Sequence, residues 1–220
     1  KADGAQASSK GTEMHTAFEQ MIEGIGLQVE TVETRLFRDW FFKFCDMNDL
    51  EPFRCELRML HKTQDGTPVV AGTADLLLRK RGTDSYVLMD FKRQDPTPKW
   101  RNGKPNLFGL NQQTVFSKPG LGPFETFLDS NESKYTMQLN AYAHILFYDY
   151  GIDTRERMFV VQVHELMKEV HVTRIKRYDD IIKDVFDREE ARATATALDA
   201  EPKTPEKKQR TDDTCATHST

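Results

Sequence analysis

The sequence is poor in cysteine and lacks the marks of a secreted or membrane-spanning protein. Its three cysteines, Cys45, Cys55 and Cys215, are odd in number and do not have the spacing of metal ligands. This pattern favours a reducing, intracellular compartment over a disulfide framework. No apolar stretch is as long as a transmembrane helix and no signal peptide is visible, so we expect no membrane partner. The chain begins with Lys1 and not with Met, which is compatible with a fragment of a larger protein.

The chain also lacks an excess of positive charge. Its formal net charge of -4 at pH 7 excludes a protein that binds nucleic acid through overall basicity, so such a role requires a local basic patch. No phosphate-binding glycine loop, dinucleotide-binding glycine pattern or serine nucleophile elbow is present. The 220 residues are enough for one domain with a substantial core.

Hydrophobic periodicity and turn residues predict an α/β fold. In chain order, the pattern predicts helices at 12–23 and 32–45, strands at 53–61, 67–80 and 84–92, a helix at 135–150, strands at 158–164 and 170–175, and a helix at 179–193. Thr12 is the expected N-cap of the first helix, Pro52 marks a break, and Gly151 ends the third helix. We expect these helices to flank a mixed central sheet.

The same pattern predicts the organisation of the chain. Residues 1–10 are small and polar, and we expect them to be disordered. Residues 11–193 are expected to form the folded domain, with a long insertion at 94–131 that is rich in proline and glycine. Residues 194–220 turn small, charged and proline-containing, which predicts a disordered tail.

Two carboxylates and a lysine fall on neighbouring strands, at points where short apolar runs end. Asp75 follows Gly72-Thr73-Ala74, and Asp90-Phe91-Lys92 closes the next strand. Because alternate residues of a strand share a face, Lys92 lies on the side of Asp90. Two acids can hold a divalent cation, the Phe91 carbonyl can add a ligand, and Lys92 can position water or offset charge in a transition state. The alternatives are a solvent-facing Asp75 and an ordinary salt bridge at Lys92.

Two further groups can complete a metal site. His15 and Glu19 are separated by one helical turn and share a helix face, where an imidazole suits Mn²⁺ as well as Mg²⁺. Glu56, on the first strand, is either an acid that supports the ligands or an ordinary edge residue. His15 in turn can be a surface residue of its helix.

Gln138 and Tyr142 are separated by one turn of the third predicted helix. An amide on the inward face of a helix needs hydrogen-bond partners, so Gln138 can bridge the lysine and a phosphate or a water. Tyr142 can contact substrate or pack in the core. Gly72 permits a close approach to the backbone of its strand.

The segment after Lys92 is locally basic. Between residues 92 and 118 six basic residues stand against the single Asp95, which gives a local net charge of +5. Positive side chains attract phosphates and aromatic rings stack on bases. The residues predicted to bind substrate here are Arg93, Lys99, Trp100, Arg101 and Lys104. The alternative is a solvated loop with incidental aromatic residues.

Together these short motifs resemble the PD-(D/E)XK nuclease superfamily, in particular its RecB-like and phage-type exonuclease branch. The resemblance runs from about Gly11 to His164. It rests on four segments in order, which are Gly11-Thr12-Glu13-Met14-His15 with Glu19, Gly72-Thr73-Ala74-Asp75, Asp90-Phe91-Lys92, and Gln138-Leu139-Asn140-Ala141-Tyr142. It implies a restriction-endonuclease-like core in the order α-β-β-β-α-β. The second acid is Asp90 where many members have Glu, and Asp is used in the RecB-like branch.

The resemblance also implies roles for these residues. His15, Asp75 and Asp90 are expected to bind Mg²⁺ or Mn²⁺, Lys92 to support the attacking water, and Gln138 and Tyr142 to frame the site. The expected function is a metal-dependent deoxyribonuclease, with exonuclease or end-processing activity favoured, in recombination, repair or replication of DNA. The alternatives are an RNA or structure-specific endonuclease, a non-catalytic nucleic-acid-binding module of the same fold, and a nuclease unit of a larger replication or recombination protein.

Overall fold

The computed structural model describes residues 2–27, 29–96, 100–101, 104–105 and 118–200. The helices are α1 (Ala2–Ile22), α2 (Val32–Asn48), α3 (Asn131–Tyr150) and α4 (Asp179–Ala200). The strands are β1 (Leu50–Lys62), β2 (Pro68–Lys80), β3 (Tyr86–Arg93), the two-residue β4 (Trp100–Arg101) and β5 (Lys104–Pro105), β6 (Met158–Val163) and β7 (His171–Arg174). A short 3-10 helix covers Gly122–Phe124. No helix within these ranges is both long and apolar enough to cross a membrane.

The main sheet has five strands in the order β1-β2-β3-β6-β7. Strands β1, β2 and β3 form an antiparallel meander, β3 and β6 are parallel, and β6 and β7 are antiparallel. A parallel pair needs a crossover connection, and α3 lies in the connection between β3 and β6. The predicted α/β class with a mixed sheet is therefore confirmed, and α2, β1, β2, β3, α3 and β6 follow the order α-β-β-β-α-β.

Helices cover both faces of this sheet. On one face, α1 and α2 bury Phe18, Phe37 and Phe41 against β2, β3 and β6. On the other face, α3 and α4 bury Leu139 and Phe186 against the same strands. The two layers explain the apolar runs Val87-Leu88-Met89 in β3 and Met158-Phe159-Val160-Val161 in β6, since both faces of these strands are covered.

The alternation of β3 separates its apolar residues from its functional ones. Val87, Met89 and Phe91 pack in the cluster formed with α1 and α2, whereas Leu88 packs in the cluster formed with α3 and α4. Asp90 and Lys92 have the same parity as Leu88, so both are directed to the α3 side of the sheet. This placement confirms that the two residues share a face.

His61 of the sheet forms ion pairs with helices α3 and α4. His61 of β1 lies with its Nδ1 2.9 Å from Asp149 of α3 and its Nε2 2.8 Å from Glu190 of α4. Its side chain is buried among these partners and beside the ring of Phe186. Because both ring nitrogens face carboxylates, the contacts favour the protonated imidazolium.

The first helix is longer than the sequence analysis predicted. It begins at Ala2, so residues 2–10 are helical and not a disordered segment. Thr12 is not an N-cap but an interior helical residue, whose hydroxyl donates to the carbonyl of Ser8 at 3.2 Å. Three alanines among these first residues explain the difference, since alanine is the best helix former and a helix anchored at its buried end extends readily.

Pro52 does not break the chain as predicted but lies inside β1. It is paired with Leu78, and the register shifts between Pro52 and Arg54. Because β1 is an edge strand, a residue without an N–H is tolerated there, next to the irregularity.

The last helix also exceeds its predicted end. It continues to Ala200, so residues 194–200 are helical rather than part of a tail, and alanine-rich composition again accounts for the extension. The rest of the predicted tail, 201–220, lies outside the described residues, as do 97–99, 102–103 and 106–117 of the insertion. The predicted stop of α3 is confirmed, since Gly151 adopts the left-handed conformation with φ of 69°.

Candidate active site

The site forms where strands β2 and β3 separate. Their antiparallel pairs run from Arg79–Tyr86 to Leu76–Met89, and Asp75 lies directly beyond the last described pair. There the Asp75 carboxylate takes the place of a ladder carbonyl, because its Oδ2 accepts a hydrogen bond of 2.6 Å from the Phe91 N–H. The sequence analysis placed Asp75 at the end of an apolar run. In the structure Asp75 lies inside β2. The local end of the β2–β3 pairing is what exposes the carboxylate to a ligand.

Two side chains from other elements meet Asp75. His15 of α1 places its Nδ1 3.4 Å from Asp75 Oδ1 and 4.0 Å from Glu56 Oε1. Glu56 of β1 lies opposite Asp75, between the register pairs Cys55–Leu76 and Leu57–Ala74. One potential ligand atom from each of His15, Glu56 and Asp75 lies within 4.8 Å of the others. Three donors from α1, β1 and β2 therefore converge on one point.

The protonation of this cluster is governed by burial and by Asp75. Burial disfavours a charged His15, but the contact with the Asp75 carboxylate outweighs it and raises the His15 pKa. Burial and the negative charge of Asp75 raise the pKa of Glu56. The crowded carboxylates thus repel each other, and a cation between them would relieve that repulsion. Glu56 moreover has a left-handed φ of 45°, which is uncommon for a residue with a side chain.

Asp90 and Lys92 form the second half of the site. Lys92 Nζ lies 2.6 Å from Asp90 Oδ2 and forms an ion pair with it, and apart from this ion pair neither oxygen of Asp90 has a hydrogen-bond partner among the described residues. The Asp90 side chain is only 2% exposed. Burial and the charge of Asp75 raise the pKa of Asp90 to about 6, against the opposing effect of Lys92. Burial lowers the pKa of Lys92, but the Asp90 carboxylate outweighs this and raises it.

These residues fit a divalent cation. A buried carboxylate without a hydrogen bond is rare in proteins, and a bound cation is one of the explanations for it. Carboxylate oxygens and one imidazole are ligands that suit Mg²⁺ and Mn²⁺. The residues that would hold it are His15, Glu56, Asp75 and Asp90. The predicted role of the Phe91 carbonyl stays a prediction, since the structure gives only the contact of its N–H.

One face of helix α3 covers the part of the site that contains Lys92. Gln138 Nε2 donates to the Tyr142 hydroxyl at 2.9 Å. The Tyr142 ring rests on the backbone of Gly72, where a Cβ atom would lie 2.4 Å from Tyr142 Cε1. The prediction of a close approach at Gly72 is therefore confirmed. The described hydrogen bond of Gln138 goes to Tyr142, so its predicted bridge from the lysine to a phosphate stays a prediction.

Tyr135 is a site residue that the sequence analysis missed. The Lys92 ammonium lies 5.0 Å from the centroid of the Tyr135 ring, within the range of a cation–π interaction. Burial raises the pKa of the Tyr135 hydroxyl, which keeps it neutral. Helical spacing could have identified it, because Tyr135 precedes Gln138 by three residues and Tyr142 by seven, which puts all three on one face.

The predicted substrate-binding residues are only partly placed by the structure. Arg93 donates to Glu33 of α2 at 3.0 Å and to Glu165 at 2.9 Å, and its side chain is only 10% exposed. Its guanidinium thus links β3 to α2 and to the segment after β6. Lys99 lies outside the described residues. Trp100, Arg101 and Lys104 belong to the β4–β5 pair, of which only the backbone is described.

A cleft of about 750 Å³ lies between α1 and the edge of the sheet, beside the cluster of His15, Glu56 and Asp75. His15 and Glu56 line it, together with Glu19 of α1 and Thr73 of β2. Glu19 adds to the negative charge that raises the pKa of Glu56 after burial and Asp75, so its predicted supporting position is close to the cluster.

Comparison with known proteins identifies no family for this chain, since no protein-family model and no curated protein matches it. Among solved structures, the chain is similar to a crystal structure from Eubacterium rectale of a protein named "Putative exonuclease", with a TM-score of 0.42 and 13% sequence identity. The similarity covers 94% of this chain and 77% of that chain. At this level of similarity, the functional interpretation depends on the residues described above.

Proposed function

We propose that the protein is a metal-dependent nuclease that hydrolyses phosphodiester bonds. The observation that carries this proposal is the buried Asp90 carboxylate, which has no hydrogen bond to a described group and lies beside Lys92 and next to the His15, Glu56 and Asp75 cluster. A cation beside this carboxylate would add a contact to the ion pair that Lys92 already makes with it. Two acids and a lysine around one point are the groups that phosphodiester hydrolysis uses.

Each residue around the site has a separate role in the proposed hydrolysis. His15, Glu56, Asp75 and Asp90 hold Mg²⁺ or Mn²⁺, which when bound supplies Lewis acidity and a more acidic water. Water attacks phosphorus in line and gives up one proton to solvent, the opposite phosphorus–oxygen bond breaks, and the departing oxygen takes up a proton from solvent. Lys92 keeps its ammonium at the site, where it orients water and offsets the negative charge that develops on the phosphate. The Tyr135 ring and the Asp90 carboxylate hold that ammonium in place.

The finer assignment is a deoxyribonuclease of the PD-(D/E)XK superfamily, acting as an exonuclease or end-processing enzyme in recombination, repair or replication of DNA. The order of the core elements and the positions of Asp75, Asp90 and Lys92 support it. An RNA or structure-specific endonuclease is the second candidate, favoured by the histidine in the ligand cluster. A larger replication or recombination assembly and a reducing intracellular compartment complete the proposal, the latter supported by the free thiols of Cys45 and Cys55.

Calorimetric titration with Mn²⁺ tests the metal part of the proposal. Asp75→Ala and Asp90→Ala should each weaken Mn²⁺ binding, because each removes a carboxylate that is proposed to hold the cation. Asp84→Ala, in the exposed turn before β3, is the control for loss of one carboxylate and should bind like the wild type. Unchanged affinity in both site variants would remove the carboxylates from the metal site.

A substrate panel tests the nuclease part. Wild-type protein with Mn²⁺ or Mg²⁺ is incubated with end-labelled linear single- and double-stranded DNA, a circular DNA and an RNA of the same sequence. Loss of linear DNA with circles spared, abolished by EDTA, is the result expected of an exonuclease. Cleavage of the RNA or of the circles would favour the endonuclease, and no cleavage with bound metal would favour a non-catalytic binding module.

Binding of DNA by the insertion at 94–131 remains part of the proposal. Neutralising Lys99, Arg101 and Lys104 together should weaken DNA binding and flatten its dependence on salt, because each phosphate contact releases counterions. An unchanged salt slope would exclude these three side chains from the substrate path.

A further inference from the structure

Arg58 lies next to the candidate active site. It lies on β1 two residues after Glu56, and it is paired in register with Thr73, two residues before Asp75. Arg58 is exposed, and it lines the same cleft as His15, Glu56 and Thr73. The Arg58–Thr73 pair therefore lies two residues along the strands from Glu56 and Asp75, whose carboxylates would hold the cation.

The Arg58 guanidinium makes no hydrogen bond or ion pair with another group in the described ranges, whereas the Arg58 backbone is paired with Thr73 in the β1–β2 ladder. Its nearest electrostatic effect is on Glu56, whose pKa is raised by burial and by Asp75 while the charge of Arg58 opposes the rise. Arg54, on the same strand, is by contrast held by its own neighbour, because it lies 5.1 Å from the Phe53 ring and donates to the Phe53 carbonyl.

The spacing of Arg58 from the cluster matches a nucleic acid strand. Two residues of extended strand span about 6.6–6.8 Å, which is close to the separation of successive phosphorus atoms along a single strand. A guanidinium presents a planar fork of donors that suits a phosphate. Two acids, Glu19 and Glu56, are among the residues that line the cleft, so a polyanion that enters it needs a cationic contact there.

We propose that Arg58 binds the phosphate adjacent to the scissile one and thereby sets the position of the strand in the cleft. This inference rests on the proposed nuclease function and deepens it, since it names a substrate-binding residue and the register of the strand. The ligand is one internal phosphodiester of a nucleic acid strand, one nucleotide away from the bond that is cleaved. Arg58 is a binding residue in this account and takes no part in proton transfer.

The test compares Arg58→Ala with Arg54→Ala, a matched control that removes an exposed arginine from the same strand outside the cleft. Binding of a short single-stranded DNA is measured at several salt concentrations, with Lys92→Ala present in all proteins to prevent cleavage. Arg58→Ala should weaken binding about 10-fold and reduce the salt slope by about 0.7. Arg58→Lys should recover the slope but only part of the affinity, because lysine keeps the charge without the fork.

A phosphate scan locates the contact. A series of DNA strands, each with one neutral methylphosphonate, is bound to the protein with and without the Arg58→Ala change. At one position the methylphosphonate should weaken binding about 10-fold when Arg58 is present and hardly at all when it is absent. The expected result is that this coupling appears at a single position, next to the cleaved bond.

The outcomes separate this inference from the proposed function. If the Lys92-containing protein cleaves DNA but Arg58→Ala binds like Arg54→Ala, or every methylphosphonate position responds alike, the Arg58 contact is refuted and the nuclease stands. If no substrate is cleaved but the coupling at one phosphate is found, the contact is supported and the nuclease is refuted. Thermal unfolding of both arginine variants verifies that each is folded, as expected for exposed side chains.

Discussion

The buried Asp90 carboxylate should make the free energy of unfolding of the metal-free protein depend on pH. In the folded state, burial and the charge of Asp75 raise the Asp90 pKa from 3.8 to about 6. Between these two pH values the folded chain binds a proton at Asp90 that the unfolded chain has released. Linkage then requires that the free energy of unfolding falls as the pH rises through this window, since the ionised carboxylate is costly to keep buried.

The size of the effect follows from the shift itself. One pKa unit corresponds to about 1.4 kcal/mol, so the rise of the Asp90 pKa to about 6 amounts to about 3 kcal/mol in total. Asn at position 90 cannot ionise and is free of this cost. The unfolding free energy of Asp90→Asn minus that of the wild type should therefore increase by about 3 kcal/mol between about pH 4 and about pH 7. The attraction between Lys92 and the ionised carboxylate is already included in this raised pKa, because it opposes the rise.

Urea unfolding in EDTA, at several pH values from about 4 to 7, measures this difference. Asp84→Asn, in the exposed turn before β3, controls for the loss of one carboxylate. Addition of Mn²⁺ should then reverse the order and stabilise the wild type more than Asp90→Asn, because the wild type gains a ligand for the cation. A difference that stays flat or decreases with rising pH would refute the reasoning about Asp90.

Three further predictions follow from contacts around the site and the fold. Tyr135→Phe should keep near wild-type cleavage whereas Tyr135→Ala should lose about 2- to 30-fold in kcat, because only the ring contact with Lys92 matters; equal losses would contradict it. Gly72→Ala should cost about 1–3 kcal/mol in urea unfolding, since its Cβ would meet the Tyr142 ring, and an unchanged midpoint would show that the ring moves freely. Burial disfavours a charged His61, but its two carboxylate partners outweigh burial and raise its pKa. The stability that His61 adds over His61→Gln should be full below about pH 6.5 and disappear as the pH rises through the raised value, and a thermal-unfolding difference independent of pH would exclude it.

The sequence predicted the local parts of the site because their geometry follows from spacing. Lys92 had to share a face with Asp90, since a strand alternates with a period of two. Gly72 indicated a close approach because it has no Cβ. The stop of α3 at Gly151 likewise follows from chemistry within one turn of the helix.

The parts that the sequence did not predict depend on contacts between distant segments. The opposition of Glu56 to Asp75 follows from the register of β1 on β2, which no local pattern specifies. Arg93 contacts Glu33 and Glu165, which are 60 and 72 residues away in the chain, so its ion pairs were invisible beforehand. The lengths of α1 and α4 were underestimated because alanine-rich helix ends carry no apolar periodicity.

The most direct test of the account is cleavage of DNA by Lys92→Ala. Single-turnover rates are measured with Mn²⁺ on linear DNA for the wild type, for Lys92→Ala and for Lys62→Ala, an exposed lysine at the end of β1. The account predicts that Lys92→Ala loses at least about 100-fold in rate while it still binds Mn²⁺ and DNA, and that Lys62→Ala cleaves like the wild type. Cleavage by Lys92→Ala at the wild-type rate would contradict the account.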